Sequence, residues 1–370
     1  MKAVVLCAGA GTRLYPLTFV RPKHLLPVAG RAILDWVLSD LAAAGVEESV
    51  FVIGAGGDRI RAFVGDGSRW NLRSSFCVQH EPRGLAHALS CARPGMGDDE
   101  RFLMYLGDDL LGDGVAAFAE EFEMSGAAAS LIVKPVPDPR EFGVVVCEDG
   151  AVTRAVEKPP QPPSDLAIVG VYGFGPEIWD AISSIEPSDR GELEITDAIG
   201  HLASEGLTVT CHVTEGFWAD AGSPDALLTA NRFYLQRLAH GIDGDVDGAS
   251  VIEGDVVIAA GARITASTIR GPCRIDADSV IEHSTIGPHA SLGAGCLVRG
   301  STVSDSVLDD GCVVAEVRGG LSRSILGRGV TVSRLGQPDG VPISILAADE
   351  TTVTADAASA PGENPTAAGD

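Results

Sequence analysis

The sequence predicts two architectures in one chain: an α/β domain with a mixed, mostly parallel sheet, followed by a parallel β-helix. Three observations carry that expectation. Strand and helix signals alternate over the first two thirds of the 370 residues, as they do where helices connect parallel strands. Near residue 242 the alternation gives way to an aliphatic residue at every sixth position. The chain also exceeds the length that one hydrophobic core usually serves.

In chain order, residues 3–6 form a short apolar run that opens the sheet. Ile33, Leu34, Val37, Leu38 and Leu41 recur at helical spacing, and Gly45 stops the helix. "SVFVIG", "FLMYLGDD" and "ASLIVKPV" read as strands, with a helical "VAAFAEEFEMSG" before the last. "GVVVCEDGAVTRAVEK" reads as a hairpin turning at Asp149 and Gly150. "AIVGVYGF" and "LTVTCHVT" add strands, and a helix follows Ser223 as its N-cap with Pro224 at the first position. Ile258 and Ile264, then Ile269, Ile275 and Ile281, then Ile286, Leu292 and Val298 keep the six-residue beat. One aliphatic residue per short side, pointing inward, is the pattern of stacked hexapeptide coils, with a β-sandwich as the alternative. The partition expected is 1–241, 242–346 and a disordered tail over 347–370, where large aliphatics are almost absent.

A formal net charge of −24 argues against a nucleic-acid partner, which needs an extended basic surface. A small phosphorylated ligand needs only a few placed cations and stays open. The eight cysteines are scattered, with no CxxC pair, so free buried thiols are expected rather than a zinc site. No apolar run approaches the length of a membrane span, and the N-terminal run is too short for a signal peptide. A soluble cytoplasmic protein is expected.

Residues 4–27, "VVLCAGAGTRLYPLTFVRPKHLLP", run a strand into a loop of small residues and then into cations. A dinucleotide fingerprint fails, because its third glycine position is Leu14 and the next strand ends without an acid. A Walker loop is absent too. What remains is a loop whose amides can approach anionic oxygens, or a tight turn with incidental charges. Asp108 follows one strand and Asp220 another, natural places for Mg2+ ligands or for turn formers. Glu157 and Lys158 offer a hydroxyl acceptor beside a cation, and Arg190 adds another cation. Glu194 and Asp197 read as helix-terminus charges.

With these pieces in order, the chain resembles the sugar-1-phosphate nucleotidyltransferases, most closely the long-form thymidylyltransferase branch. The matching stretches are "LCAGAGTRLYPLT", "RPKHLLPV", "VQHEPRGLAHAL", "YLGDDLL", "EFGVVV", "VEKPPQPPSDLAIVGVY", "RGELEITDAI" and "GFWADAGSPDALLTAN". They keep family order and spacing to about residue 240. The resemblance implies a Rossmann-like nucleotidyltransferase domain and gives the β-helix its left hand. It also implies that a sugar-1-phosphate oxygen attacks the α-phosphorus of a nucleoside triphosphate and displaces pyrophosphate. The nucleophile is already an anion, so no general base is needed, and catalysis is positioning plus charge neutralisation. His24, His80 and His87 are accordingly expected to have surface or packing roles.

The resemblance assigns roles residue by residue. Ala8, Gly9, Gly11 and Thr12 line the triphosphate loop, and Arg13 with Lys23 stabilise the leaving pyrophosphate. Gln79 and Gly84 read the pyrimidine base. Asp108 and Asp220 hold Mg2+. Gly143, Glu157 and Val169 contact the sugar hydroxyls, while Lys158 and Arg190 bind its phosphate. The implied substrates are dTTP, or UTP, and glucose 1-phosphate or another sugar 1-phosphate, and a homo-oligomer is expected. Two departures stand out: Ala8 replaces a family glycine, and Asp109 replaces an asparagine and adds a carboxylate near the polyphosphate. An acyltransferase in the β-helix, using His283 or His289, and a non-catalytic assembly subunit are the competing readings.

Overall fold

The computed structural model describes residues 1–97, 99–335 and 340–354. It divides into two compact units, Met1–Tyr234 and Leu235–Asp370. Along the first unit run the strands β1 (Lys2–Cys7), β2 (Pro27–Val28), β3 (Arg31–Ala32), β4 (Glu48–Ile53), β5 (Arg73–Val78), β6 (Phe102–Leu106) and β7 (Asp109–Leu111). They continue with β8 (Ala129–Pro135), β9 (Gly143–Glu148), β10 (Ala151–Glu157), β11 (Leu166–Phe174), β12 (Val209–Val213) and β13 (Trp218–Asp220). The helices are α1 (Ile33–Ala43), α2 (Asp58–Val64), α3 (Leu85–Ala92), α4 (Ala116–Ser125), α5 (Ile178–Ser184), α6 (Ile195–Ser204) and α7 (Pro224–Leu235).

One sheet organises this unit, in the order β5-β4-β1-β6-β11-β8-β12-β10-β9. The parallel pairing is concentrated in β5-β4-β1-β6, plus β12 on β8. β11 runs antiparallel to both β6 and β8, and the β9–β10 hairpin is antiparallel. That hairpin turns where expected, because Asp149 and Gly150 both take positive φ, 50° and 80°. Alternate residues of β1 feed two cores. Val4 and Leu6 pack toward α3, α5 and α6, and Ala3, Val5 and Cys7 toward α1 and α4. Ser223 caps α7, its Oγ accepting from the Ala226 N–H at 3.3 Å. Cys147 and Cys211 are joined in a disulfide, against the expectation of free thiols, while the other six cysteines are free. β9 and β12 flank β10, and this adjacency brings the pair together. Among the described residues no helix is long and apolar enough to cross a membrane.

Under this sheet, Asp40 of α1 faces the buried Tyr105, whose hydroxyl donates to its Oδ2 at 3.3 Å. Burial pushes the Asp40 carboxyl up to about 7, against that hydrogen bond and the Arg31 charge. The folded carboxyl keeps its proton where the unfolded one, at its ordinary 3.8, has lost it. The folded state therefore binds the extra proton between these values, and its stability falls as pH rises through that window. Asp40→Asn is expected to remove this loss, so its stability gain over wild type grows by roughly 2–4 kcal/mol from pH 4 to pH 8. Urea unfolding across that range checks it; a gain independent of pH contradicts it.

The second unit is a stack of short strands in three parallel sheets, an arrangement consistent with the left-handed parallel β-helix. Ile252, Ile269, Ile286 and Val303 pair in one column, and Ile264, Ile281, Val298, Val314 and Val332 in another. The residues named for the six-residue beat are all buried. Buried serines hold the corners: each of Ser267 and Ser284 accepts, through Oγ, the N–H of the serine one coil on. The coil also outlasts its expected end. Leu346–Ala347 pairs with Ile325–Leu326, and Thr352–Thr354 with Thr331–Ser333, so the start of the segment read as a tail is strand. The rest of that segment, 355–370, lies outside the described residues.

Candidate active site

Two strands of the parallel half end at one place. β1 runs out at Cys7 into the small-residue loop, and β6 at Leu106 into Gly107, Asp108 and β7. A ligand at the carboxyl ends of such strands is the common arrangement in open α/β sheets. The N–H groups of Gly9, Ala10 and Gly11 donate to no protein acceptor among the described residues. They are therefore available to anionic oxygens. Gly11 sits at φ 65°, where a Cβ would also press Thr18 Cγ2 at 3.1 Å. The Thr18 hydroxyl donates to the Gly11 carbonyl at 2.8 Å and fixes the turn.

The charges converge through a second strand pair. β13 lies antiparallel to β7 with Asp220 opposite Asp109, which brings Asp220 beside Asp108. Lys23 Nζ donates to Asp108 Oδ2, and Arg13 Nη2 donates to Asp220 Oδ2 at 3.0 Å. Burial opposes the Lys23 charge, but Asp108, with Asp220 and Asp109 beyond it, holds the ammonium above its ordinary range. Burial and the neighbouring Asp108 push Asp220 up, against Lys23 and Arg13. His24 lies buried beside this pair, and burial and Lys23 hold it well below the usual imidazole range, so it is neutral. Its ring also lines the cleft, with Nε2 3.9 Å from Asp108 Oδ1.

Asp109 differs from the expectation of an added charge. It is buried, and Trp218 Nε1–H donates to its Oδ1 at 3.4 Å. Burial, then Asp220 and Asp108, push its carboxyl well above the carboxylate range. Its surroundings thus disfavour the added charge, and its side chain is close in shape to the asparagine it replaces. Gly170 of β11 makes room for it: a Cβ there would fall 1.9 Å from Asp109 Oδ2.

Asp108 and Asp220 supply hard oxygen donors, and each has one oxygen beyond the one that holds its cation. Among the described residues no group of three or more candidate metal ligands forms. Two carboxylates, with phosphate and water filling the other positions, suit Mg2+ rather than a cation that needs an all-protein cage.

A cleft of about 320 Å³ gathers Ala8, Gly9, Lys23, Gln79, Gly84, Asp108, Gly143, Glu157, Lys158 and Asp220. Gly84 takes φ 99°, and a Cβ would lie 2.4 Å from the Leu193 carbonyl oxygen. Glu157 Oε1 is 3.6 Å from Arg190 Nη1 and 3.9 Å from Lys158 Nζ, and the Thr196 hydroxyl donates to its Oε2 at 3.3 Å. Burial and Glu194 raise the Glu157 carboxyl, against Lys158 and Arg190. Glu194, expected as a helix-terminus charge, is buried and 3.4 Å from Arg190 Nη1, so it helps hold that cation. Gly11, Thr12, Arg13 and Arg190 stand outside the cleft lining, although Arg13 and Arg190 reach it through Asp220 and Glu157.

The Val169 side chain is fully buried in the core on the α1 side of the sheet, while its neighbours Ile168 and Gly170 line the cleft, which leaves residue 169 its backbone to offer a sugar. Strand alternation alone decides this. Sequence reasoning also missed Phe142, Tyr172 and Trp218 in the lining, and His87, whose Nδ1 lies 3.0 Å from Gln79 Nε2. In the β-helix, His283 and His289 occupy left-handed corner positions, at φ 49° and 60°.

The nucleotidyl transferase family model matches residues 2–237. The chain is 41% identical over 334 residues to a glucose-1-phosphate thymidylyltransferase of Streptomyces griseus, covering 90% of this chain and 94% of that protein. A protein of the same name from Streptomyces antibioticus is 41% identical over 336 residues, with the same coverage. A solved structure from Bacillus anthracis, described provisionally as a glucose-1-phosphate thymidylyltransferase in complex with a sucrose, superposes with a TM-score of 0.60. It is 32% identical and covers 65% of this chain and 97% of its own.

Proposed function

The chain belongs to the nucleotidyl transferase family, and on that footing we propose that it is a glucose-1-phosphate thymidylyltransferase, joining dTMP from dTTP to glucose 1-phosphate and releasing pyrophosphate. One observation carries the reading: a single cleft holds the base-side residues Gln79 and Gly84, the Lys23–Asp108 pair, and the sugar-side residues Gly143, Glu157 and Lys158.

On this reading the triphosphate lies against the free amides of Gly9 to Gly11, with Lys23 and Arg13 at the end that departs. The pyrimidine sits at Gln79, where glycine at 84 lets the ring approach. Glu157 accepts from sugar hydroxyls, and Lys158 with Arg190 holds the sugar phosphate in line with the α-phosphorus. The attacking phosphate oxygen is already ionised, so no side chain has to remove a proton, and the neutral, buried His24 takes no part. Asp108 and Asp220 would hold Mg2+. When bound, that ion offsets the negative charge on the α-phosphate oxygens. Both substrates are those of a cytoplasmic enzyme.

Pyrophosphate release across dTTP, UTP, dCTP and ATP, each with glucose, galactose and N-acetylglucosamine 1-phosphates, tests the reading. The fastest release is expected with dTTP and glucose 1-phosphate. UTP is expected to follow: a single methyl group, worth only about 1 kcal/mol, separates the bases, and one 2′-hydroxyl separates the sugars. No release with any pair overturns it in favour of an assembly subunit.

Lys158 allows a narrower check. Its Nζ is 3.9 Å from Glu157 Oε1, and its backbone is pinned at φ 40° by the N–H donated to the Phe142 carbonyl. Lys158→Ala is expected to raise KM for glucose 1-phosphate about ten-fold or more, the scale of one charge-assisted hydrogen bond. KM for dTTP should hold. An unchanged KM for the sugar phosphate contradicts the role.

A further inference from the structure

Gln79 follows β5, and its backbone is fixed by the N–H donated to the Ile53 carbonyl at 2.9 Å. Its side-chain Nε2 lies 3.2 Å from the Gly84 carbonyl oxygen and 3.0 Å from His87 Nδ1. A backbone carbonyl only accepts, so the nitrogen end of the amide must face Gly84. The second Nε2 proton is then donated to His87, whose Nδ1 must act as acceptor, with the ring proton on Nε2. Both N–H groups are thereby engaged. Oε1 is the amide's one uncommitted polar atom among the described residues, and Gln79 lines the cleft.

That polarity carries chemical information. A thymine or uracil ring presents N–H at N3, whereas a cytosine ring presents a lone pair there. An acceptor at Gln79 Oε1 pairs with the first and repels the second. An amide turned to present Nε2 does the reverse. Gly84 engages only one of the two N–H groups. Without an acceptor at position 87, the other is free to turn toward the cleft. Gly84 directly precedes α3 and His87 lies on it, while Ala86, Ala88 and Leu89 bury that helix in the core. Both acceptors are therefore carried by one well-packed element.

We propose that His87 is a positioning residue that sets base choice: by accepting from Gln79 Nε2 it holds the amide with Oε1 toward the cleft, selecting nucleoside triphosphates whose ring donates at N3. The proposal rests on the reading of the cleft as a dTTP site.

The test is kcat/KM for dTTP and for dCTP, each with glucose 1-phosphate, in the full chain and three variants. Wild type should prefer dTTP. His87→Phe removes the acceptor and should narrow the dTTP-to-dCTP ratio about ten-fold, the factor for 1.4 kcal/mol. The change should fall on nucleotide KM, leaving KM for glucose 1-phosphate in place. His87→Lys, which can only donate, should narrow the ratio at least as far. His87→Gln, whose side-chain carbonyl can accept, should restore it. If His87→Phe fails to fold, the Lys and Gln variants decide. An unchanged ratio in the variants without an acceptor, or a parallel loss on both nucleotides, overturns the role of His87. Equal use of dTTP and dCTP by wild type also overturns it. A wild type that uses no pyrimidine triphosphate overturns the reading of the cleft and the proposal together.

Discussion

Asp220→Asn is expected to lower turnover by about 10²–10³-fold with the fold intact, the scale on which removing one preorganised electrostatic group acts. The carboxylate sits opposite Asp109 in the β7–β13 pair, beside Asp108, where the triphosphate charge has to be managed. The cation in its salt bridge, Arg13, is 62% exposed, so losing that pair costs little stability. Asp108→Asn should lose as much turnover and also some stability, because Lys23 is only 14% exposed and would keep its charge without its nearest partner. Pyrophosphate release reads the first effect, and circular dichroism with the thermal midpoint reads the second. Near-normal turnover in both variants contradicts the assignment of these two carboxylates.

Gly170→Ala is expected to be as damaging, by a different route. A methyl group at this position meets Asp109 Oδ2 at 1.9 Å and Leu106 Cδ1 at 2.5 Å. Asp109 has nowhere to retreat, since it is buried and its other oxygen accepts from Trp218. Overpacking at a buried position costs about 1–3 kcal/mol, and here it adds the displacement of a hydrogen-bonded acid. A fall in thermal midpoint of about 6–10 °C is expected, with turnover reduced because β7 also carries the backbone that follows Asp108. Adding Asp109→Ser removes the contact with the acid, leaving the one with Leu106, and should return part of the lost stability. If Gly170→Ala matches wild type, or if the second substitution only adds to the damage, the close approach is not what requires glycine at 170.

The contrast between what the sequence revealed and what it hid follows from range and symmetry. The loop from Ala8 to Lys23 was legible because its chemistry is local: small residues free the amides, and the cations follow within one loop. The coils were legible because isoleucine, leucine and valine recur where each side turns inward. Their last strand was missed because Thr352–Thr354 carries a single valine, and its place is set by pairing with Thr331–Ser333. The inward side chain of Val169 was not legible because β11 is buried along nearly all its length, so no polar alternation marks which face meets the cleft. The Cys147–Cys211 disulfide depends on strand order, which spacing along the chain does not encode.

Asp109 shows the same limit in chemical form. As a letter it reads as a charge beside a polyphosphate. In place, packed against Gly170 and hydrogen-bonded by Trp218, it is pushed toward its neutral acid. Arg190 likewise reads as a cation beside Lys158, yet Glu157, Glu192 and Glu194 all pair with it.

The central claim is that the cleft directs attack at the α-phosphorus of dTTP. Incubation with dTTP labelled with ³²P at the α-phosphate, together with glucose 1-phosphate, tests it most directly. The label should pass entirely into the sugar nucleotide, with one unlabelled pyrophosphate released for each product formed. Label recovered as free dTMP or dTDP, or sugar nucleotide formed without pyrophosphate, would contradict it.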